Sequence, residues 1–311
     1  MKKQIPALAS LLVVAAVLCV LPFVLSDYNV SLAAQVGIFF VAVLGLNILT
    51  GYTGQISIGH GAFMAIGGYT TAVMSRDHHT NLVVTMLMAF AICFVVGLIV
   101  GLPALRFSGV YLALVTFALA VSIPNIPNQY STFLGGVGGV TSSEEVSNLW
   151  IYVAAWSCSA LLFLVAWLIL RGRIGRAFRA IRDSEIAAVA SGVELPVYKT
   201  LAFGISAAYA GVAGSLFVLA TNGFAQPSEF GVFLSLQLLI GAAIAGLGSL
   251  WGVLAGAAFV GLLPQVSTSV PVIGAEHGRD VIFGAAVILV MLVLPDGFAG
   301  LVARLRRLAR A

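Results

Sequence analysis

The sequence predicts an all-α fold, a polytopic transmembrane helical bundle of about ten spans with both termini in the cytoplasm. Three observations predict it. Only 8% of the 311 residues are charged and 61% are apolar, against about 25% and 45–50% in a soluble domain. So few charges cannot cover a globule in water, and lipid must solvate most of the chain. Apolar runs of roughly 20 residues recur along its length, each enough to cross a hydrocarbon core about 30 Å thick as a helix. These runs are continuous rather than alternating with period two, which excludes a barrel. Finally, the basic residues fall to one side of the predicted membrane.

The runs lie near 7–25, 31–50, 53–75, 82–102, 109–127, 150–170, 201–222, 231–249, 252–270 and 281–298. The first follows Lys2 and Lys3 and has the charged start and apolar middle of a signal peptide. Its 19 residues exceed a usual signal core, so it reads as an uncleaved span. The third, 53–75, is glycine-rich and is read as crossing, because a re-entrant loop would put Arg106 and the arginines of 171–182 outside. With the N-terminus inside, Lys2, Lys3, Arg106, Arg171, Arg173, Arg176, Arg179, Arg182, Lys199, Arg304, Arg306, Arg307 and Arg310 are cytoplasmic. Only Arg76 and Arg279 are outside, so thirteen of fifteen basic residues obey the positive-inside rule. Deleting any of the first seven spans would break this partition. Tyr28, Tyr130, Trp150 and Tyr152 mark outer span ends and Tyr52 and Trp251 inner ones, where amphipathic rings prefer to lie. The pI of about 9.1 therefore reflects topology and implies no nucleic acid. Residues 1–311 form one membrane domain, whose longest cytoplasmic segment is 171–200.

Four segments stand out. Residues 51–68 hold six glycines in eighteen positions, together with Gln55, Ser57 and His60. Gly costs about 1 kcal/mol relative to Ala inside a helix, and the polar groups are costly in lipid unless paired. Broken helices at membrane depth are tolerated inside protein or along a watery cavity, and transporters place them at substrate pathways. Asn47, Gly51, Gly54, Gln55, Ser57, Gly59 and His60 are thus candidate lining residues. Close glycine packing with polar cross-links is the alternative, and His60 alone reads as a hydrogen-bonded packing residue. In 241–261, Gly248, Gly252 and Gly256 recur every four residues, a pattern that lets helices approach closely. The outer loop 134–140, LGGVGGV, lacks the Lys-Ser/Thr of a phosphate cradle and reads as a flexible or tightly turned element.

The fourth segment is 171–200. Its arginines end at Arg182, followed by a short helix with Asp183 as candidate N-cap and Glu185 in the first turn. Ala187, Ala188 and Ala190 form a small smooth surface, Gly192 fits the C′ position, and Pro196 is expected to stop any continuation. Such an exposed helix suits a groove on a partner; the alternative is a loop held to anionic lipid by its arginines. The absences are equally informative. No Asp, Glu, Lys or Arg lies mid-span, so no ion relay is visible. Hydrolase motifs are missing, and Cys19, Cys93 and Cys158 propose neither disulfides nor metal.

The stretches 45–73 (GLNILTGYTGQISIGHGAFMAIGGYTTAV), 105–120 (LRFSGVYLALVTFALA), 179–217 and 246–257 (GLGSLWGVLAGA) resemble the permease subunits of binding-protein-dependent ABC importers for branched-chain amino acids, on the LivM-like branch. The resemblance runs over nearly the whole chain. It implies that 183–196 is the coupling loop, with Arg182, Asp183, Glu185, Ala187, Ala188 and Gly192 docking into a cytosolic ATPase subunit. It also implies a second similar permease, two ATPases that hold ATP and Mg, an external binding protein, no cofactor on this chain, and residence in a bacterial or archaeal cytoplasmic membrane. Ile186 separates Glu185 from Ala187 in the general coupling motif, as in similar permeases of this branch. Leu134 departs from the family's TGG-type outer motif, and Val253 stands where GLGSLWG usually continues with Pro. Related permeases carry urea, short amides or other amino acids. A gradient-driven carrier is a further alternative, though it would have no use for a coupling helix.

Overall fold

The computed structural model describes residues 26–78, 80–107, 109–142 and 146–268, with Pro22 and short pieces between 284 and 301. The first predicted run apart from Pro22, half of the last one and both termini lie outside the described residues. Among the described residues, six helical stretches are long and apolar enough to cross a membrane.

Helix α1, Asp27–Leu46, continues into the π-wound stretch Asn47–Tyr52. After an irregular stretch, α2 runs over His60–His78, α3 over Leu82–Ala104 and α4 over Val110–Ser122. Single turns follow α4, with Pro124 and Pro127 each in the first turn of a new winding, where a missing N–H costs nothing. Then come α5 (Asn148–Arg171), α6 (Arg173–Asp183), α7 (Glu185–Ala190), α8 (Leu195–Ala220), α9 (Val232–Ala245) and α10 (Val253–Thr268).

The middle of the bundle belongs to α8, which packs most extensively on α3 and α2 and then on α1. Burial separates core from rim: the most apolar windows of α1 and α8 are 83% and 89% buried, those of α3, α4 and α5 only 28%. Leu87, Ile99, Leu114 and Leu161 point outward from those rim helices. In water that belt would drive aggregation; in a bilayer it is the ordinary surface. Lipid is as apolar as leucine, so the core is held by close packing and polar cross-links instead. Gly67 lies against the Gly211 carbonyl so closely that a Cβ would overlap it. Thr71 donates to Ser215 at 2.6 Å, Ser159 to the Gly37 carbonyl at 2.9 Å and Tyr209 to the Leu162 carbonyl at 2.8 Å.

Helix α2 has the length of a span but is too polar to be among the six. Its flanks are covered by α8, α3 and α9, so protein, not lipid, is its solvent. The run 53–75 therefore differs from the expectation of one span: 54–59 is irregular, and α2 begins only at His60. Two boundary readings are also corrected. Asp183 is the last residue of α6, and the N-cap of α7 is Ser184, whose hydroxyl accepts from the Ala187 N–H at 3.3 Å. Burial of Ala177, Phe178 and Ile181 on one face carries α6 past the point where a cap was expected. Pro196 stops nothing. It sits in the first turn of α8, while α7 is ended by Gly192 at φ +81.

At the end opposite the arginines, the glycine loop is tightly turned. Gly135, Gly136 and Gly139 have positive φ, and the strand Val140–Thr141 pairs antiparallel with Phe224–Ala225, Val140 opposite Ala225. This clasp joins the α4–α5 and α8–α9 connections.

Candidate functional site

Three of the segments singled out by sequence meet at the arginine-rich end. The first is the break between α1 and α2. The chain leaves regular α-winding at Asn47 and turns at Gly54, φ +73, a value that strains any residue with a Cβ. Local side chains satisfy the freed backbone. Thr53 donates to the Leu49 carbonyl at 2.5 Å, Thr50 to the Gln55 carbonyl at 3.1 Å, and Gln55 Nε2 to Thr53 Oγ1 at 2.9 Å. Farther along, Ser57 Oγ accepts from the Gly59 N–H at 3.3 Å and Thr116 Oγ1 from the Ile58 N–H at 3.0 Å. A Cβ on Gly59 would come 2.9 Å from the Thr116 carbonyl, so that glycine allows α4 to close over the break.

His60 opens α2 fully buried. The Ser206 hydroxyl donates to the Gly45 carbonyl at 2.6 Å, so His60 Nε2 is the donor in its 2.8 Å contact with Ser206 Oγ. The Gly61 N–H donates to Ser235 Oγ at 2.9 Å. The candidate lining residues thus divide. Asn47, Gly51, Gln55, Ser57, Gly59 and His60 are buried, while Gly54 and the intervening Ile56 are exposed. Gln55 Oε1 and His60 Nδ1 are buried acceptors with no protein donor.

The second segment is the α9–α10 connection, 246–252. Gly246 and Gly248 have positive φ, so Gly248 turns a loop rather than extending a helical small-residue stripe. Gly252 and Gly256 do act in packing: Cβ atoms there would overlap the Ala245 and Gly241 carbonyls. Asn47 stitches this loop to the break. Its Nδ2 donates to the Ser249 carbonyl at 2.8 Å, and its Oδ1 accepts from the Gly248 N–H at 2.9 Å.

The third segment is α6–α7. Arg182 Nη1 donates to the Gly51 carbonyl at 2.6 Å. Glu185 Oε1 lies 2.7 Å from Nζ of Lys199, which is buried at the foot of α8. After α7 the Val193 N–H reaches the Ala188 carbonyl at 3.0 Å and the Gly192 N–H the Val189 carbonyl at 2.9 Å. That is the paired bonding of a left-handed glycine cap. Ala188 faces inward, whereas Ile186 and Val189 are 85% and 55% exposed. Asp183, Ala187 and Gly192 are exposed beside them.

Lys199, Ser206, Ser235 and Thr116 were not among the candidates. Lys199 reads in sequence as one more positive-inside charge. The others are single hydroxyls inside apolar runs, and their only signal is that a buried hydroxyl needs a partner.

A bundle of apolar helices around a polar, glycine-broken segment, with a capped helix standing exposed at its arginine-rich end, defines a multi-pass membrane permease. Residues 28–294 match the family model described as branched-chain amino acid transport system / permease component, and the chain belongs to that family, one of transport permeases rather than enzymes. It is similar to the high-affinity branched-chain amino acid transport system permease protein LivM of Salmonella typhimurium, 29% identical over 89% of this chain and 71% of that protein. The LivM of Escherichia coli is 28% identical over the same shares. The LivH permease of Salmonella typhimurium is 24% identical over 84% of this chain and 91% of its own length. No solved structure matches the chain significantly.

Proposed function

We propose that this chain is the LivM-type permease subunit of an ATP-driven importer for branched-chain amino acids in a bacterial or archaeal cytoplasmic membrane. An external binding protein delivers cargo to the outer connections. A second homologous permease completes the path, and two cytosolic ATP-binding subunits hold ATP and Mg; this chain binds no cofactor itself. The broken segment 47–60 lines the path. Gln55 Oε1 and His60 Nδ1, buried acceptors without protein donors, suit the ammonium group of a passing amino acid once the segment opens.

The observation that carries this reading is the exposed apolar face of α7. Ile186 is 85% exposed on a helix with a hydroxyl cap at one end and a glycine cap at the other. A shaped, fastened helix presenting an isoleucine to solvent is suited to a groove on another protein. The test is to purify whatever assembles with this chain and measure leucine-stimulated ATP hydrolysis, native against Ile186→Asp and Gly192→Arg. The reading expects ATPase subunits to co-purify with the native chain and stimulation to be lost in both variants. Transport that survives both substitutions with no ATPase bound would sink it.

A further inference from the structure

Docking explains the exposed face of α7 but not the inward reach of Arg182. This side chain leaves the end of α6, and its stem passes Gly54, where a Cβ would lie 3.6 Å from Arg182 Cγ. Its tip then meets the Gly51 carbonyl at 2.6 Å. That carbonyl stands at the end of the 26-residue helical run Asp27–Tyr52. There the last acceptors lack intrahelical donors and the helix dipole is negative, so a guanidinium makes a strong charge-assisted bond.

The contact is built from both sides. A Cβ on Gly248 would stand 2.5 Å from Arg182 Nη1 and 3.0 Å from the Gly51 carbonyl. A Cβ on Gly51 would overlap both Asn47 Oδ1 and the Gly248 nitrogen. One arginine therefore reaches a place where the ends of α1 and α9 meet, and only glycines leave it room. On either side of that place the chain is regular helix: α1 before it, α2 after the irregular 54–59, α9 and α10 around 246–252. Between them lie a π-wound stretch, commonly a functional irregularity, and glycines of positive φ at 54, 246 and 248. Asn47 binds the two irregular stretches to each other, so they shift together.

We propose that Arg182 is a positioning residue that passes displacement of the coupling helix to a hinge formed by Asn47–Tyr52 and the 246–252 loop. Only Asp183 and Ser184 separate it from α7, so a pull on that helix reaches the Gly51 carbonyl through one side chain. Movement of the carbonyl re-aims 54–59, where Ile56 is exposed, and hence the start of α2. This rests on the proposed importer function and adds to it the residue that links docking to opening.

The experiment uses the assembled complex in proteoliposomes, with leucine as the probe. Arg182→Gln is read as leucine taken up per ATP hydrolysed by the assembled complex, so that any loss of docking cancels from the ratio. That ratio should fall about tenfold or more, the scale of one charge-assisted hydrogen bond. Arg182→Lys should recover part of it. Gly248→Ala attacks the same contact from the far side without altering the docking surface, and should uncouple in the same manner. As a direct readout, maleimide labelling of Ile56→Cys should differ between nucleotide-free and vanadate-trapped native complex, and the difference should vanish with Arg182→Gln. If Arg182→Gln lowers hydrolysis and uptake in parallel, preserves the labelling difference, and Gly248→Ala behaves as native, Arg182 is a docking contact and the proposal is wrong. If the native chain assembles with no ATPase, the importer reading itself fails, and this proposal with it.

Discussion

Replacing Asn47 with alanine removes the stitch between the two irregular stretches, and its cost follows from the geometry. The native amide makes two bonds, at 2.8 Å to the Ser249 carbonyl and 2.9 Å from the Gly248 N–H, and the residue is fully buried. Each bond is worth a net of about 0.5–1.5 kcal/mol in a soluble protein and nearer 0.6 between membrane helices. Gly248 is only half-buried, so orphaning its N–H adds the low end of a desolvation cost of about 1–3 kcal/mol. The sum for Asn47→Ala is about 2 kcal/mol, or roughly a thirtyfold shift of the unfolding equilibrium. Asn47→Asp keeps an acceptor for Gly248 but sets a buried carboxylate oxygen against the Ser249 carbonyl, and should cost at least as much as the alanine. Unfolding in mixed micelles with increasing SDS, followed by the fluorescence of the four tryptophans, measures both. A loss below about 0.5 kcal/mol for the alanine variant, at the level of an ordinary surface substitution, would show that the amide does not hold the loop.

The Glu185–Lys199 pair is asymmetric, with side-chain exposures of 45% and 8%. Removing the exposed partner strands a buried cation, so Glu185→Gln should lower the unfolding midpoint more than Lys199→Met, and the reverse order would contradict the burial argument. Gly67→Leu drives a side chain into the Gly211 carbonyl and should cost about 3 kcal/mol or more, read as loss of folded protein from the membrane. Gly138→Ala, with nothing within 4 Å of the added Cβ, should match native in the same assay. Gly139 combines φ +75 with a Cβ that would overlap the Ala225 carbonyl. Gly139→Ala should therefore open the outer clasp, seen as faster proteolysis within 134–142 at unchanged overall stability.

Much of the helical content was legible because one physical quantity, apolar length, dictates it in lipid. Six glycines in eighteen residues marked the segment as unusual for a lipid face but fitted close packing as well as a break, and 53–75 was expected to cross as one span. What joins the break to the other segments was not legible. Asn47 and Ser249 are 202 residues apart, and no local pattern announces that pairing. Arg182 looked like the last of five cytoplasmic arginines, yet its partner is a carbonyl, a group every residue carries. The cap was misplaced by one residue because Asp183 and Ser184 can both cap, and burial of Ile181 decided between them. Pro196 was read as a stop because a proline near a helix end both closes one helix and opens the next. Only the left-handed Gly192 shows which boundary each residue serves.

The polarity of α2 bears on how the protein is made. Synthesis delivers α2 well before α8, yet Thr71 finds Ser215, and His60 finds Ser206, on that later helix. During the interval these groups face the membrane unpaired, on a segment too polar to settle in lipid alone. Of the three helices that cover its flanks, only α3 is made before α8, so α3 must shelter it first, and the arrival of α8 supplies the most extensive of its cover. The order of elements along the chain is thus also an order of assembly, and α8 is the piece that closes it.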